Sequence, residues 1–303
     1  MPLKVKASII ILTKNAEAVL EGVLRSVFNS NLEEKFEVIV IDSNSTDMTK
    51  EIAAKYPVRF YGIPAKEFSH GGTRNMGAKL AQGEFVVFLT QDAMPCNTHW
   101  LASLLACFEA QDIAAVYGRQ IPRLTSPIEE FYLRFLYPEH RIWKKGVSQK
   151  DCLLKDIFFS NVNSAIRKSV WEKYRFNEAL IMSEDQEWSK RVLGDGYAIL
   201  YEPAASVIHS HNYGPLQLFS RNFDSGMSLK GIVHCKFVKA LRYELRYVFE
   251  AIMYLQKKKS YLWLLFFPVY EVSKLAGFTL GFYHRYIPYL FRKRLSQHTH
   301  YWK

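Results

Sequence analysis

Four short stretches carry side chains able to do chemistry: "FLTQDAMP", "FSHGGTRNMG", "MSEDQEW" and "IHSH". In the first, Asp92 stands just past an apolar run, Val86 to Thr90, that reads as a buried strand. A buried carboxylate without a partner is costly, so Asp92 must find a cation, a donor or water. At a strand tip it can hold Mg²⁺ or Mn²⁺, with waters filling the octahedron, or it can cap the turn that contains Pro95. Arg74 follows Gly71 and Gly72 where a helix begins, and a guanidinium at a helix N-terminus suits an anion. It also reads as a plain surface arginine. Glu184 and Asp185 open a helix, where they complement its dipole or supply a general base that deprotonates a hydroxyl. His209 and His211 are two apart, hence on one side of an extended segment. They are hydrogen-bonded core histidines, or one of them is a metal ligand.

The elements around these residues decide between the readings. "ASIIIL", "FEVIVID", "VRFYGI" and "EFVVFLT" are apolar runs of strand length. Between them, "AVLEGVLRSVF", "SNSTDMTKEIAAKY" and "TRNMGAKLA" have helical spacing or helix caps. Strand–helix alternation with doubly buried strands implies an α/β fold, a mostly parallel sheet with right-handed crossovers flanked by helices. Ligands bind such sheets beyond the carboxyl ends of the strands. Thr13, Lys14 and Asn15, then Asp42 to Ser45, then Gln91 and Asp92 end the strands and should share one crevice. Residues 120–158 read as an irregular, aromatic and basic inserted recognition loop with short helices, and "FFSNVNSAIRKSVWEKY" as a polar loop running into a helix. "SEDQEWSKRVLGDGY" is a helix closed by glycines, and "AILYEPAASVIHSH" a strand. In one chain order along one sheet edge, these residues describe a site for a nucleotide diphosphate, a metal and an activated hydroxyl.

Composition narrows the classes further. The 303 residues are 49% apolar and 15% aromatic, enough for a large folded core. Cys96, Cys107, Cys152 and Cys235 are far apart without Cys-x-x-Cys spacing, which fits a reduced setting with no zinc knuckle or disulfide framework. The N-terminal apolar run is too short for a signal peptide and reads as the first strand. The loop "TKNAEA" after that strand has no glycine, so the dinucleotide fingerprint is missing, as is a Walker loop. Residues 1–220 hold 25 Lys+Arg and 25 Asp+Glu, whereas 221–303 hold 15 and 4, so the whole net charge of +11 sits in the last 83 residues. Two regions follow, 1–220 and 221–303.

"SIIILTKN", "VIDSNSTD", "QDA", "SEDQEWSKRVLGDGY" and "EPAASVIHSH", in this order over about residues 5–215, resemble the family-two, inverting nucleotide-sugar glycosyltransferases of GT-A fold. Within that family, "EFSHGGTRNMGA", "FLTQDA" and the terminal "KRLSQHTHYW" look like bacterial rhamnosyltransferases of surface-polysaccharide assembly. The resemblance implies that Thr13 and Asn15 line the nucleoside pocket, with Asp42 and Ser45 beside them, and that Asp42 hydrogen-bonds the base or ribose. It places Arg74 near the diphosphate, Gln91 at the donor edge, and Asp92 at the last acidic position of the Asp-x-Asp metal motif. Thr90 occupies the first acidic position, a departure that leaves one carboxylate for Mg²⁺ or Mn²⁺, which His209 would supplement. Asp185 matches the catalytic base, with Glu184 beside it. Asn161, Asn163, Trp143 and Trp188 are expected on the acceptor side. The Gln-x-x-Arg-Trp signature of processive synthases is missing, so a single addition is expected. The resemblance implies transfer of L-rhamnose from dTDP-L-rhamnose to a polyprenyl-diphosphate-linked glycan; UDP- or GDP-sugars are the alternative donors. A non-catalytic scaffold on a degenerate fold is the alternative of another class.

The basic tail fits a lipid-linked acceptor. Phe237, Leu241, Leu245, Val248, Ile252 and Leu255 fall on one helical stripe, and Lys239, Arg242 and Arg246 line another face. "YLWLLFFPVYEVSKLAGFTLGFY" is apolar but interrupted by Pro268, Glu271 and Lys274, short of the ~20 residues needed to span a bilayer. Segments of this kind lie in an anionic membrane interface, here the inner face of the cell membrane, making the protein cytoplasmic and peripheral. The alternative is a packed helical subdomain or a homodimer interface. With a neutral sheet region and no recognised motif, nucleic acid is not an expected partner.

Overall fold

The computed structural model describes residues 5–123, 125–234 and 236–302. Its first part alternates as expected: β1 (Ala7–Thr13), α1 (Leu20–Phe28), β2 (Phe36–Asp42), α2 (Thr49–Ala53), β3 (Val58–Gly62), α3 (His70–Leu80) and β4 (Phe85–Thr90). Then come β5 (Met94–Pro95), α4 (Trp100–Leu105), β6 (Ile113–Ile121), α5 (Pro127–Leu136), β7 (Ile142–Lys145), α6 (Leu154–Ile157), β8 (Asn163–Arg167), α7 (Lys168–Lys173), α8 (Glu184–Gly194) and β9 (Ala198–Ile208). Helices α9 (Pro215–Leu229), α10 (Phe237–Lys257), α11 (Tyr261–Phe282) and α12 (Tyr289–Leu295) follow.

One sheet runs β3-β2-β1-β4-β8-β6-β9-β5, with β7 also on β9. The quartet β3-β2-β1-β4 is parallel, so Gly62, Asp42, Thr13 and Thr90 end on one edge. Alternate residues serve opposite faces: Ile9 and Ile11 pack under α1, α2 and α4, whereas Ile10 packs under α3, α7 and α8. Beyond β4 the sheet is mixed. Strand β8 is antiparallel to both β4 and β6, β6 and β9 are parallel, and β5 and β7 are antiparallel to β9. The expectation of a mostly parallel sheet therefore describes the first half only.

The difference arises at β8, in the stretch expected to be a polar loop. Asn163, Ser164 and Arg167 interrupt any apolar run, yet all five residues are buried. Their polar atoms are satisfied internally: Ser164 Oγ donates to Asn161 Oδ1, and Arg167 to carbonyls of Phe108, Ala110 and Ile113. The segment 120–158 contains the expected short helices, α5 and α6, and also the unexpected strand β7.

The C-terminal helices attach through close backbone contact. A Cβ on Gly226 of α9 would stand 2.1 Å from Phe278 O, and one on Gly281 of α11 1.9 Å from Phe223 O. Any side chain there would force α9 and α11 apart, so glycine sets their spacing. A separate small core joins Ile128 and Phe131 of α5 to Tyr247, Ala251 and Leu255 of α10 and Phe267 of α11. That packing corrects the expected stripe. Val248, Ile252 and Leu255 do face inward, but Leu241 and Leu245 face outward with Phe249 and Met253; the side chain of Phe237 lies outside what is described. The aromatic side chains of α5, and not the hydrophobic period alone, select the inward face. Among the described residues no helix is long and apolar enough to cross a membrane. Cys96, Cys107 and Cys152 are free thiols; Cys235 lies outside the described residues.

Candidate active site

The ends of β1, β2 and β4 knit into one crevice. Asp42 accepts at Oδ1 from Thr13 Oγ1 (2.9 Å) and Ser45 Oγ (2.5 Å), and at Oδ2 from Ser45 N (2.8 Å). Asn15 N donates to Ser45 Oγ, and Asn15 Oδ1 accepts from Thr46 N. Gln91 grips the β1 loop by both amide atoms: Oε1 accepts from Lys14 N and Nε2 donates to Lys14 O. Asn15 and Asn44 hold left-handed φ of +47° and +62°, the kind of local strain that surrounding bonds must over-determine. Thr13 is 2% exposed and spends its hydroxyl on Asp42, so it stands behind the crevice wall and does not line it.

Beside this crevice lies a cavity of about 490 Å³ whose wall includes Thr90, Asp92, Arg74, Glu184, Asp185, and both His209 and His211. Asp92, His209 and His211 each bring one ligand atom to within 4.8 Å of the others. His209 Nδ1 donates to Gln120 Oε1 (2.8 Å), the tautomer assigned from this bond, which turns Nε2 toward Asp92 Oδ1 at 3.5 Å. Burial lowers the His209 imidazole to about 4, against the pull of Asp92, so its ligating nitrogen is unprotonated at neutral pH. Gln120 is itself fixed through Nε2 on Tyr137 OH and on Ser160 Oγ. An outer partner that orients a ligand histidine in this way is the usual companion of a metal site. Thr90 Oγ1 is buried without a partner among the described residues. One carboxylate, two imidazoles and this orphan hydroxyl fit a divalent ion, and the imidazoles suit Mn²⁺ better than Mg²⁺, which favours oxygen ligands.

Opposite stands the acidic pair. Ser183, at φ +62°, turns the chain into α8 so that Glu184 and Asp185 project from its first turn. Glu184 is buried and pairs with Arg74 Nη1 at 2.5 Å. Asp185 accepts from Asn161 N (3.2 Å) and Gln186 N (3.0 Å). Burial first, then the Glu184 charge, push Asp185 up to about 7, with Arg74 and the two N–H groups opposing. A carboxylate poised near neutrality in a cavity suits proton abstraction. Arg74 is thus committed to Glu184 by one nitrogen, a constraint its sequence position does not reveal.

The expected acceptor-side residues separate. Asn161 supports Asp185 through its backbone. Asn163 is a core residue: its Oδ1 accepts from Trp100 Nε1 and its Nδ2 donates to Ala205 O. Trp188 is fully buried with Nε1 on Tyr174 O. Trp143 sits half exposed on β7 and is absent from the cavity wall. Trp188 went to the core, and Trp143 to the exposed face of an edge strand away from the cavity. Residues that the sequence reading missed are in the cavity wall, Tyr213 and Arg221 among them. Tyr213 stacks on His211 (4.9 Å), and the Arg221 guanidinium lies 5.5 Å over Tyr213. Arg123 Nη2 donates to Asp92 O. Only the continued two-residue register of "HSHNY" hinted at Tyr213.

A model of the family described as "Glycosyl transferase family 2" matches residues 8–175. The chain is 35% identical over 280 residues to "O-antigen chain rhamnosyltransferase WbaN" of Salmonella anatum, covering 91% of this chain and 89% of that one. It is 31% identical to "O-antigen chain rhamnosyltransferase RfbN" of Salmonella typhimurium, over 98% and 96%. Among solved structures, the mannosyltransferase PcManGT of Pyrobaculum calidifontis, in complex with GDP-Man and Mn²⁺, shares the fold with a TM-score of 0.61 at 15% identity, over 94% of this chain and 91% of that one.

Proposed function

This chain belongs to glycosyl transferase family 2, and on that premise we propose that it moves L-rhamnose from dTDP-L-rhamnose onto a hydroxyl of a lipid-linked saccharide. The likeness to the two Salmonella rhamnosyltransferases over nearly the full length of each chain carries the choice of sugar. GT-A folds of this family invert, and the chain is a glycosyltransferase with the mixed α/β sheet of that class.

In this reading the nucleoside lies along Asn15, Asp42 and Ser45, beside the Gln91-pinned loop, and the diphosphate reaches Asp92. Asp92, His209 and His211 would hold Mn²⁺ or Mg²⁺, which when bound neutralises charge on the diphosphate. Arg74 lends positive charge to the same wall, its position fixed by Glu184. Asp185 receives the proton of the acceptor hydroxyl as that oxygen attacks the anomeric carbon opposite the departing diphosphate. One displacement inverts the configuration. Its worth as a base is a factor of ~10²–10⁴ in rate.

Residues 221–303 seat the enzyme on an anionic membrane surface where a polyprenyl-diphosphate-linked acceptor is presented. Leu245 and Phe249 of α10 and Leu262 and Leu265 of α11 are 60–74% exposed, and Lys257, Lys259, Lys293 and Arg294 are exposed as well. Apolar side chains enter the interface while each basic residue near it adds ~1 kcal/mol.

Donor hydrolysis by the purified protein, across dTDP-L-rhamnose, UDP-sugars and GDP-sugars with Mn²⁺ or chelator, tests the reading. The expected result is chelator-sensitive release of dTDP alone. Release from another donor would keep the mechanism and overturn the rhamnose assignment.

A further inference from the structure

Among the described residues, the cavity wall carries three permanent cations, Arg74, Lys274 and Arg221. Two of them are answered by carboxylates. Arg74 Nη1 pairs with Glu184 Oε1, and Lys274 Nζ lies 3.0 Å from both oxygens of Glu271 and donates to Tyr247 OH at 3.2 Å. Arg221, on α9, forms no ion pair among the described residues, and the Glu129 carboxylate lines the same wall without pairing with it. Arg123, the other guanidinium beside Asp92, is exposed, gives Nη2 to the Asp92 carbonyl and is absent from the wall.

What holds Arg221 is a stack. Its guanidinium lies 5.5 Å over the Tyr213 ring, with Nη1 3.4 Å from Tyr213 OH. Tyr213 in turn stacks on His211, centroids 4.9 Å apart and planes 29° apart. Stacking uses the face of the guanidinium and leaves the N–H groups around its rim to an acceptor. Nε and Nη2 have no hydrogen-bond partner among the described residues. The stack also fixes where the charge sits, beside the Asp92–His209–His211 group, where it opposes protonation of both imidazoles. A partly buried cation with no counter-ion is costly, and an anion in the cavity would complete it.

We propose that Arg221 binds the β-phosphate of the donor's diphosphate and meets the charge that grows there, with Tyr213 as the residue that positions it. The planar fork suits two phosphate oxygens at once. When the bond from the anomeric carbon to the β-phosphate oxygen breaks, its electron pair stays on that oxygen. The acceptor oxygen bonds to the carbon, and its proton passes to Asp185. Negative charge therefore increases on the leaving diphosphate, and a guanidinium with no carboxylate partner can answer it. The charge of Arg74 is already met by Glu184. The proposal rests on the glycosyltransferase reading and assigns a residue to its leaving group.

The test compares equilibrium binding of dTDP, dTMP and farnesyl diphosphate, each with Mn²⁺, to the full-length wild type and to Arg221→Ala, Arg221→Lys, Tyr213→Leu and Tyr213→Phe, with a melting temperature for each. Arg221→Ala is expected to weaken dTDP about ten- to a hundredfold, as for a hydrogen bond between charged groups, and to leave dTMP, which lacks the β-phosphate, unchanged. Arg221→Lys keeps the charge without the fork and should recover part of the loss. Tyr213→Phe keeps the stack and should bind dTDP like the wild type, whereas Tyr213→Leu should follow Arg221→Ala in weaker form. Unchanged dTDP binding in Arg221→Ala would overturn the proposal; if farnesyl diphosphate alone is weakened, the fork belongs to the acceptor's diphosphate instead. An equal loss for dTDP and dTMP with a lowered melting temperature would overturn it too, because that marks a structural prop. A wild type that binds no nucleoside diphosphate sinks the glycosyltransferase reading and this proposal with it. Wild-type binding of UDP or GDP in place of dTDP moves the same comparison between variants to that nucleotide and its monophosphate.

Discussion

Burial and the Glu184 charge raise Asp185 to about 7, while Arg74 pulls the other way. A base must be ionised to act, so kcat/KM should rise as pH climbs through about 7 and level off above it, read from donor and acceptor turnover between pH 5.5 and 9. Asp185→Asn should lower kcat by ~10²–10⁴ and remove that limb. The same shift has a stability sign. The folded state holds the Asp185 proton up to about 7, the unfolded chain only to about 3.8, so ionisation costs the fold increasingly across that window. The melting temperature of Asp185→Asn relative to wild type should therefore be more favourable at pH 8 than at pH 5; a constant difference would refute the raised value. Around the proposed metal ligands, Gln120 Oε1 accepts from His209 Nδ1 and so holds the His209 tautomer. Gln120→Leu should weaken Mn²⁺ about ten- to a hundredfold by calorimetric titration while dTDP still binds when Mn²⁺ is saturating.

At the scale of elements, helices α9 and α11 carry one wall of the cavity, and their glycines set its place. Gly281→Val should push Phe223 and α11 apart, lowering the melting temperature and raising KM together; overpacking of this kind typically costs about 1–3 kcal/mol. An unchanged melting temperature would show that the helices can separate freely. Helices α10 and α11 also carry the outward apolar ridge. Replacing Leu245 and Leu265 by Glu should abolish sedimentation with vesicles rich in anionic lipid and leave donor hydrolysis intact. If the variant instead loses a dimer seen for the wild type by ultracentrifugation, the ridge is covered by a second copy of the chain and not by lipid.

For the whole molecule, charge follows chain order: residues 1–220 are neutral and residues 221–303 basic, and Gln297 and His298 come back to the cavity wall beside Arg74. The boundary expected at residue 220 falls inside α9. Strand–helix alternation determined the parallel quartet, because short apolar runs such as Ile9 to Ile11 and Val38 to Ile41 are buried on both faces and are linked by helical segments. Chain order also determined that Asp92 and the His209–His211 pair would meet, since residues ending parallel strands of one sheet share an edge; Glu184 and Asp185 reach the same cavity from the first turn of α8. Only the tertiary structure decided what depends on distant partners. Polar Asn163 and Arg167 became part of a buried strand because carbonyls elsewhere satisfy them. Trp188 went to the core and not to the acceptor, Arg74 was tied to Glu184 110 positions away, and Asp224 met His298 across 74. Local sequence sets the period and the caps; which polar atom satisfies which is settled when the chain closes on itself, because a buried polar group takes whatever partner the packing brings within reach.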